Sequence, residues 1–494
     1  MKKIILLILV AVNVHGQTIK WTESCFRAYE ETSKLNFNKA RQLIETERRS
    51  NPANLVIPYI ESQADFIKVF ISESESDLES LKKKNAQRLE EVDAIEGEDP
   101  YSNLFRAEYH LQIAVARLKF EEYIGAVYET RKALKLLESN RKKYPEFHPN
   151  LRSLGFIHAF VGTVPRNYQW VINLLGFSGT MEQGLAELTE LLDATYHKKE
   201  LRYLKDETIV LLTFMEMNMV KNKGSAGIRK RLNNIENIHQ KPLLLFAKSV
   251  FHFANSENDS VISLLSKKVI PEEAYNLYYL DYMEGIARLN KLDLTAEKSF
   301  YTYVRHHQGF SFVKSAYQKL AWIRLLQEDM TGYKKLIALA GDAKIGGTFS
   351  DEDKQALKEF QTKEIPNVHL LKSRLLFDGG YYHHALHEIA GKPPDHFPSL
   401  RDKIEFTYRL ARIFEKTNKV EKAIEYYKHT ITNGKSHDFY FAANSALLLG
   451  LHYENEGNNK KAEEYYRLCL SMRNHEYQNS LDQKAKAGLS RVVD

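Results

Sequence analysis

Cysteine is almost absent from this chain, with Cys25 and Cys469 the only two in 494 residues. A disulfide between them would have to join the two ends of the chain, which an open stack of elements does not bring together. Cys469 falls at an inward position and reads as a small apolar filler. Proline is sparse as well, at 12 residues, so long stretches are free of the residue that breaks helices. No segment alternates polar and apolar residues between turn signals, so a sheet is not expected. Past the first residues, no apolar run is long enough to cross a bilayer. Excess charge of one sign is missing too. The 70 basic and 64 acidic residues interleave and leave a net +6, which does not favour nucleic-acid binding. No glycine-rich loop ends in Gly-Lys-Ser/Thr, so phosphate cradling is unsupported. No Pro/Gly/Ser-rich linker divides the chain, although its length is large for one core. Stacked repeats resolve this, because each repeat packs only on its neighbours.

What is present is a rhythm of small residues. Ser373, Ala411, Gly450 and Gly488 recur every 38 or 39 residues, and Ala385, Ala423 and Ala462 each follow one of the first three by 12. Between the two marks, seven residues after the first, stand Gly380, Asn418 and Gly457. Two helices pack closely only where one presents a small side chain. The chain between them must reverse through a left-handed conformation that glycine adopts freely and asparagine tolerates. The pattern therefore predicts an all-α chain, an α-solenoid of helix–turn–helix repeats.

Leu449-Gly450-x2-Tyr453 with Ala462-x3-Tyr466 resembles the tetratricopeptide repeat closely. Leu410-Ala411-x2-Phe414 with Ala423-x3-Tyr427 follows, and Ser373-x2-Leu376 with Ala385-x3-Ile389 is a weaker copy. Near the start, Ala28, Ala40, Ile44 and Pro52 fit one more unit. The period exceeds the usual 34, which implies longer helices or connections. The middle of the chain resembles a second family. Asn173-Leu174-Leu175-Gly176-Phe177-Ser178-Gly179 followed by Gly184-Leu185 looks like the signature of the inclusion-body-clearance family of tetratricopeptide proteins. Tyr279-Leu280-x2-Met283-x-Gly285 and Lys319-Leu320-Ala321-Trp322 look like its later helices. That resemblance implies a helical scaffold without catalysis.

The first 16 residues read as a secretory signal. Lys2 and Lys3 precede nine apolar residues, 4–12, and Val14-x-Gly16 offers cleavage before Gln17. The mature chain is expected to be exported, to a bacterial periplasm or beyond. Residues 17–222 form an N-terminal helical region, irregular near 162–180. Residues 223–494 form the C-terminal repeats, closed by a helix over 481–492 with Asp482, Lys486 and Arg491 outward. The predicted helix pairs early in the chain are 55–72 with 77–95, and 101–119 with 121–143.

Candidate chemistry is thin. His383 and His387 lie one turn apart beside His384, but nothing completes a metal site, and the repeat register turns all three outward. Gly176-x-Ser178 lacks the second glycine and the strand of a nucleophile elbow. Ser350 before Asp351-Glu352-Asp353 reads as a helix N-cap with acids in the first turn. No catalytic residue, metal or cofactor is assigned. In tetratricopeptide proteins the fifth and ninth residues of the first helix line the binding groove. The pairs here are Leu370/Arg374, Tyr408/Arg412 and Leu447/Leu451. None has the Lys and Asn of the chaperone-binding carboxylate clamp. Arg374 and Arg412 are expected to stack on neighbouring helices beside Phe377 and Tyr408. These four are the candidate contacts for a protein or peptide partner, with acidic or aromatic-rich peptide suited to them. The alternative is a scaffold that contacts lipid or the envelope through the aromatic stretch 166–177, which includes Tyr168 and Trp170 and otherwise packs inside the stack.

Overall fold

The computed structural model describes residues 17–95, 99–162, 176–219, 226–271, 273–393 and 396–493. The expected signal at 1–16 and the aromatic residues 168–175 lie outside them. Among the described residues the protein is all-α, with 24 α-helices and two short 3-10 helices. No strand occurs among them, only one isolated bridge between Thr18 and Asn54. No helix there is long and apolar enough to cross a membrane. The chain divides into two compact units. One comprises residues 1–221, 225–244 and 269–276, and the other 222–224, 245–268 and 277–494.

The first unit opens with the pair Glu23–Ser33 and Phe37–Ser50, then Val56–Ser72 with Glu75–Asp93, and Pro100–Lys119 with Tyr123–Lys143. These fall within a few residues of the expected bounds. Its core is aromatic: Trp21 stacks on Tyr203 at 4.3 Å and Tyr59 on Phe105 at 4.2 Å. Arg152 is buried beneath those rings and pairs with Glu108 at 2.7 Å and Glu207 at 2.5 Å. Such a charge is tolerated in a core only when its donors are matched. The helix Asn150–Gly162 runs up to the segment expected to be irregular, and Met181–His197 begins after its N-cap Thr180. These two helices cross at Gly155 and Gly184. A Cβ on Gly184 would lie 2.4 Å from both the Gly155 carbonyl oxygen and the Ala159 nitrogen, so the backbones are in direct contact.

The second unit is a run of hairpins. After Pro242–Ala254 and Asn258–Leu265 come Tyr279–Asn290 with Ala296–His306, and Val313–Leu326 with Met330–Gly341. Asp351–Thr362 follows as an extra helix. Then come Val368–Asp378 with Tyr382–Ile389, Leu400–Lys416 with Val420–Gly434, and Tyr440–Asn455 with Asn459–Ser471. Gly380, Asn418 and Gly457 have φ of 86°, 62° and 73°, the left-handed turns that the sequence marks. The same turn continues upstream at Ser256, Leu292 and Glu328, with φ of 58°, 60° and 63°. Seven residues before each of these lies a small buried residue, Ser249, Gly285 and Ala321. The repeat frame thus runs through the whole unit, although three of its turns carry residues that disfavour the conformation.

The small residues are where paired helices touch. Ser373 donates its hydroxyl to the Ala385 carbonyl at 2.9 Å, joining the first and second marks of one repeat. A Cβ on Gly285 would be 2.8 Å from the Phe300 ring. Gly450 and Gly488 both face Tyr466, where a Cβ would come within 2.6 Å and 2.3 Å of the ring. One buried tyrosine therefore sits against two glycines, one in its own repeat and one in the last helix, Gln478–Val492. That helix packs on both helices of the preceding pair. Glu454 fastens it by accepting from the Tyr466 hydroxyl at 2.5 Å and from Arg491 at 2.7 Å. Lys486 and Arg491 are exposed, but Asp482 is not. It is buried at 7% exposure, because Arg473 of the preceding loop pairs with it at 3.2 Å. Cys25 and Cys469 are both buried free thiols. Burial first, then Asp482, pushes Cys469 up to about 12, which fits an inert filler.

Gly450→Leu and Ala423→Phe should each destabilise the C-terminal repeats by about 1–3 kcal/mol through overpacking. Lys428→Phe, on an exposed position, should change stability little. Thermal melts of the three variants that coincide would show the register to be wrong.

Candidate functional site

The residues proposed from sequence fall into two neighbouring clusters of the second unit. Phe377, Tyr408 and Arg412 come together. The Arg412 guanidinium lies 4.9 Å from the Phe377 ring, so it reaches back from the helix Leu400–Lys416 to the helix Val368–Asp378. It also donates to the Tyr408 hydroxyl at 3.1 Å and approaches Glu415 at 3.6 Å. Tyr408 accepts a second hydrogen bond from Asn444 at 2.6 Å, on the next repeat. Both rings are buried, Phe377 at 8% exposure and Tyr408 at 1%. Their faces belong to the packing between repeats, and Arg412 is the half-buried member.

Arg374 takes a different partner. Its guanidinium lies 5.2 Å from the Trp322 ring, one hairpin earlier, and does not stack on Phe377 or Tyr408. Trp322 is 2% exposed and organises the second cluster. Its indole N–H donates to both oxygens of Glu359, at 3.0 Å and 3.2 Å. Gln318 donates to the same carboxylate at 2.6 Å and the Tyr333 hydroxyl at 2.9 Å. Glu359 comes from the extra helix Asp351–Thr362, which no other hairpin of this unit has. Burial raises the Glu359 pKa, and the donated hydrogen bonds from Trp322, Tyr333 and Gln318 act against the rise. The cap that positions this helix is the expected one. Ser350 accepts from the Asp353 amide at 3.0 Å, and Asp353 in turn accepts from the backbone of Phe312 and Ser315.

Lys319 completes this cluster and was not singled out as a site residue from sequence. It is 7% exposed. Its ammonium lies 3.8 Å from the Trp322 centroid and donates to Gln318 at 2.7 Å. A cation over an indole face is attracted by the ring quadrupole, more so when desolvated. Burial first, and then the facing charge of Arg374, bring Lys319 down to about 7 from the ordinary 10.5, against the pull of Glu359. The only hint in the sequence is its place beside Ala321 and Trp322, which gives the helix but not the unusual pairing.

Further along the same unit, cations and carboxylates are matched. Arg409 pairs with Glu405 at 2.7 Å. Glu476 takes Lys358 at 2.9 Å and Arg401 at 3.3 Å. Tyr440 packs its ring on Tyr408 at 5.7 Å and against Tyr477 at 5.2 Å. Arg374 is within electrostatic reach of Tyr440, Arg409 and Tyr477. Basic and aromatic side chains thus follow one another across the first helices of successive hairpins. His383, His384 and His387 are exposed, as the register requires.

Hairpins of this geometry, with a small residue at the crossing and a left-handed turn seven residues on, define a helical-repeat protein. Its C-terminal end carries two tetratricopeptide repeats, since that family's profile matches residues 407–438 and again 443–476. No curated protein matches the chain. Among solved structures, the crystal structure of the APC/C hetero-tetramer Cut9-Hcn1 is similar over 96% of this chain and 97% of that chain, at 12% identity and a TM-score of 0.22. The resemblance of the middle region to the inclusion-body-clearance family is not among the matches.

Lys319 binds more protons unfolded than folded between about pH 7 and its ordinary value, so its contribution to stability rises with pH across that window. Below it the buried charge is a full penalty. The melting temperature of the protein relative to Lys319→Met should therefore increase from pH 7 to pH 9, with the variant the more stable at pH 6. Parallel curves across this range would contradict the placement of the amine.

Proposed function

We propose that this protein is an exported, non-enzymatic scaffold that holds protein or peptide partners on the first helices of its C-terminal hairpins. The observation that carries the reading is the succession of cations and aromatic rings on those helices. Lys319, Arg374 and Arg412 each lie over a ring of the same or the preceding hairpin, and Tyr440 with Tyr477 continues the row. Arginine and tyrosine are the residues that most often anchor protein interfaces, because they combine large area with directional polar groups. The two matched tetratricopeptide repeats support the same reading. Export rests on the pattern of the first 16 residues.

Affinity capture from an envelope fraction tests the proposal, comparing the unaltered protein with Arg412→Glu. The partner retained by the first should be lost by the second, while both melt alike. Retention of the same partner by both would place the contact elsewhere. Co-sedimentation with phosphatidylglycerol vesicles, unaffected by the substitution, would favour the lipid-contacting scaffold instead. Sequencing the N-terminus of the exported protein should give Gln17 first, and an intact Met1 would contradict export.

A further inference from the structure

Lys319 differs from Arg401, Arg409 and Arg412 in having no carboxylate at contact distance, and Arg374 meets one only at 3.8 Å. Arg409 is matched by Glu405, four residues earlier on its own helix. The residue four before Lys319 is Ser315. Its hydroxyl pairs with the Tyr282 hydroxyl at 2.9 Å, and its amide donates to Asp353 at 2.9 Å. No carboxylate of the described residues comes within 4.0 Å of the Lys319 amine, whose one hydrogen bond is to the Gln318 side chain. Glu359 is turned toward three neutral donors, Trp322, Gln318 and Tyr333. Arg374 has Gln355 at 3.2 Å and Asp378 at 3.8 Å, the latter on a side chain 48% exposed. The Trp322 ring therefore carries two basic side chains, Lys319 buried with no carboxylate in contact, and Arg374 at 25% exposure with only the loosely held Asp378.

Charge complementarity decides what such a site takes. Elsewhere along these hairpins Arg409 is met by Glu405, and Arg401 and Lys358 by Glu476. We propose that Lys319 and Arg374 together receive an aspartate or glutamate side chain of an acidic segment in a protein partner, with Trp322 as floor and the Tyr440–Tyr477 pair alongside. This deepens the scaffold reading and rests on it. The carboxylate gains two charge-assisted hydrogen bonds in a desolvated setting, the strong kind. It also supplies the negative charge that keeps the buried amine protonated.

The charges that weigh most on Lys319 come from two helices packed against it. Glu359 and Glu352 face it from the helix Asp351–Thr362, and Arg374 and Asp378 from Val368–Asp378. Tyr333 of Met330–Gly341 is bound to Glu359, and Tyr282 of Tyr279–Asn290 to Ser315. A bound carboxylate adds an opposite charge to that set and raises the lysine pKa. Binding at pH 8 should then take up a proton, and affinity should fall as pH rises.

The probe is a glutamate–tyrosine copolymer with an amidated C-terminus, titrated calorimetrically into the full chain at pH 8 in phosphate and in Tris. The two buffers differ in ionisation enthalpy, so the difference in observed heat reads proton uptake. Lys319→Met and Arg374→Met should each weaken binding at least tenfold. Lys319→Arg should bind with no proton uptake. Circular dichroism and melting of each variant establish that it is folded. Equal affinity in Lys319→Met, or uptake that persists in Lys319→Arg, overturns the assignment. Binding only by a copolymer with a free C-terminus overturns it in favour of a terminal carboxylate. No binding to either polymer also overturns it, yet leaves the scaffold reading to the capture experiment, where Arg412 and not Lys319 is altered.

Discussion

Everything in the second unit depends on how closely the two helices of a hairpin can approach. The approach is set by one residue on the first helix, small enough to let a neighbouring side chain or backbone lie against it. Gly285 meets Phe300, Ser373 meets Ala385, and Gly450 meets Tyr466. Once that crossing is fixed, the first helix ends within two turns and the chain must reverse at once. A left-handed residue seven positions on does this, and its place follows from the crossing. Successive hairpins then stack through the large residues beside the small one, such as Tyr408 and Phe441 at 5.3 Å. Interiors packed this tightly transmit a volume change directly, so the register is specified by size more than by polarity.

The frame was legible only where local preference agrees with it. Gly380, Asn418 and Gly457 announce their turns because glycine and asparagine favour positive φ. Ser256, Leu292 and Glu328 occupy the same place and announce nothing. For such residues the left-handed conformation costs roughly 1–2 kcal/mol each, and burial of the hairpin outweighs it. Leu292 shows how, since its side chain packs on the cores on both sides. The extra helix Asp351–Thr362 also breaks the spacing, so a period measured from the C-terminus fails upstream of residue 368. Asp482 shares the outward face of Lys486 and Arg491 in the helix register, but Arg473 of the preceding loop lies over it, which helix periodicity alone does not show.

The site was legible to a similar degree. Arg374 and Arg412 share a repeat position, which is enough to predict that both stack on an earlier helix. Position does not say on what. Arg412 finds Phe377, but Arg374 finds Trp322. Lys319 is one lysine among many in the sequence. Its distinction comes from the indole three residues on along its own helix and from two other elements, which put Arg374 beside it and hold Glu359 on other donors. A charge becomes unusual through tertiary contacts, and no local pattern encodes that. By contrast the cap at Ser350 was plain, since capping needs only neighbours in sequence.

The central claim is that one register, a small residue followed seven positions later by a left-handed turn, extends through the whole second unit even where the turn residue is unfavourable. Glu328 tests it most directly, being exposed with φ of 63°. Glycine there removes the left-handed penalty at the expense of some unfolded-state entropy. Thermal melting of Glu328→Gly and Gln327→Gly compares two adjacent exposed positions with the same replacement. The account predicts that Glu328→Gly raises the melting temperature and that Gln327→Gly, at a residue with φ of −90°, lowers it. A loss of stability at both positions would contradict a left-handed turn at Glu328 and with it the extension of the repeat frame upstream.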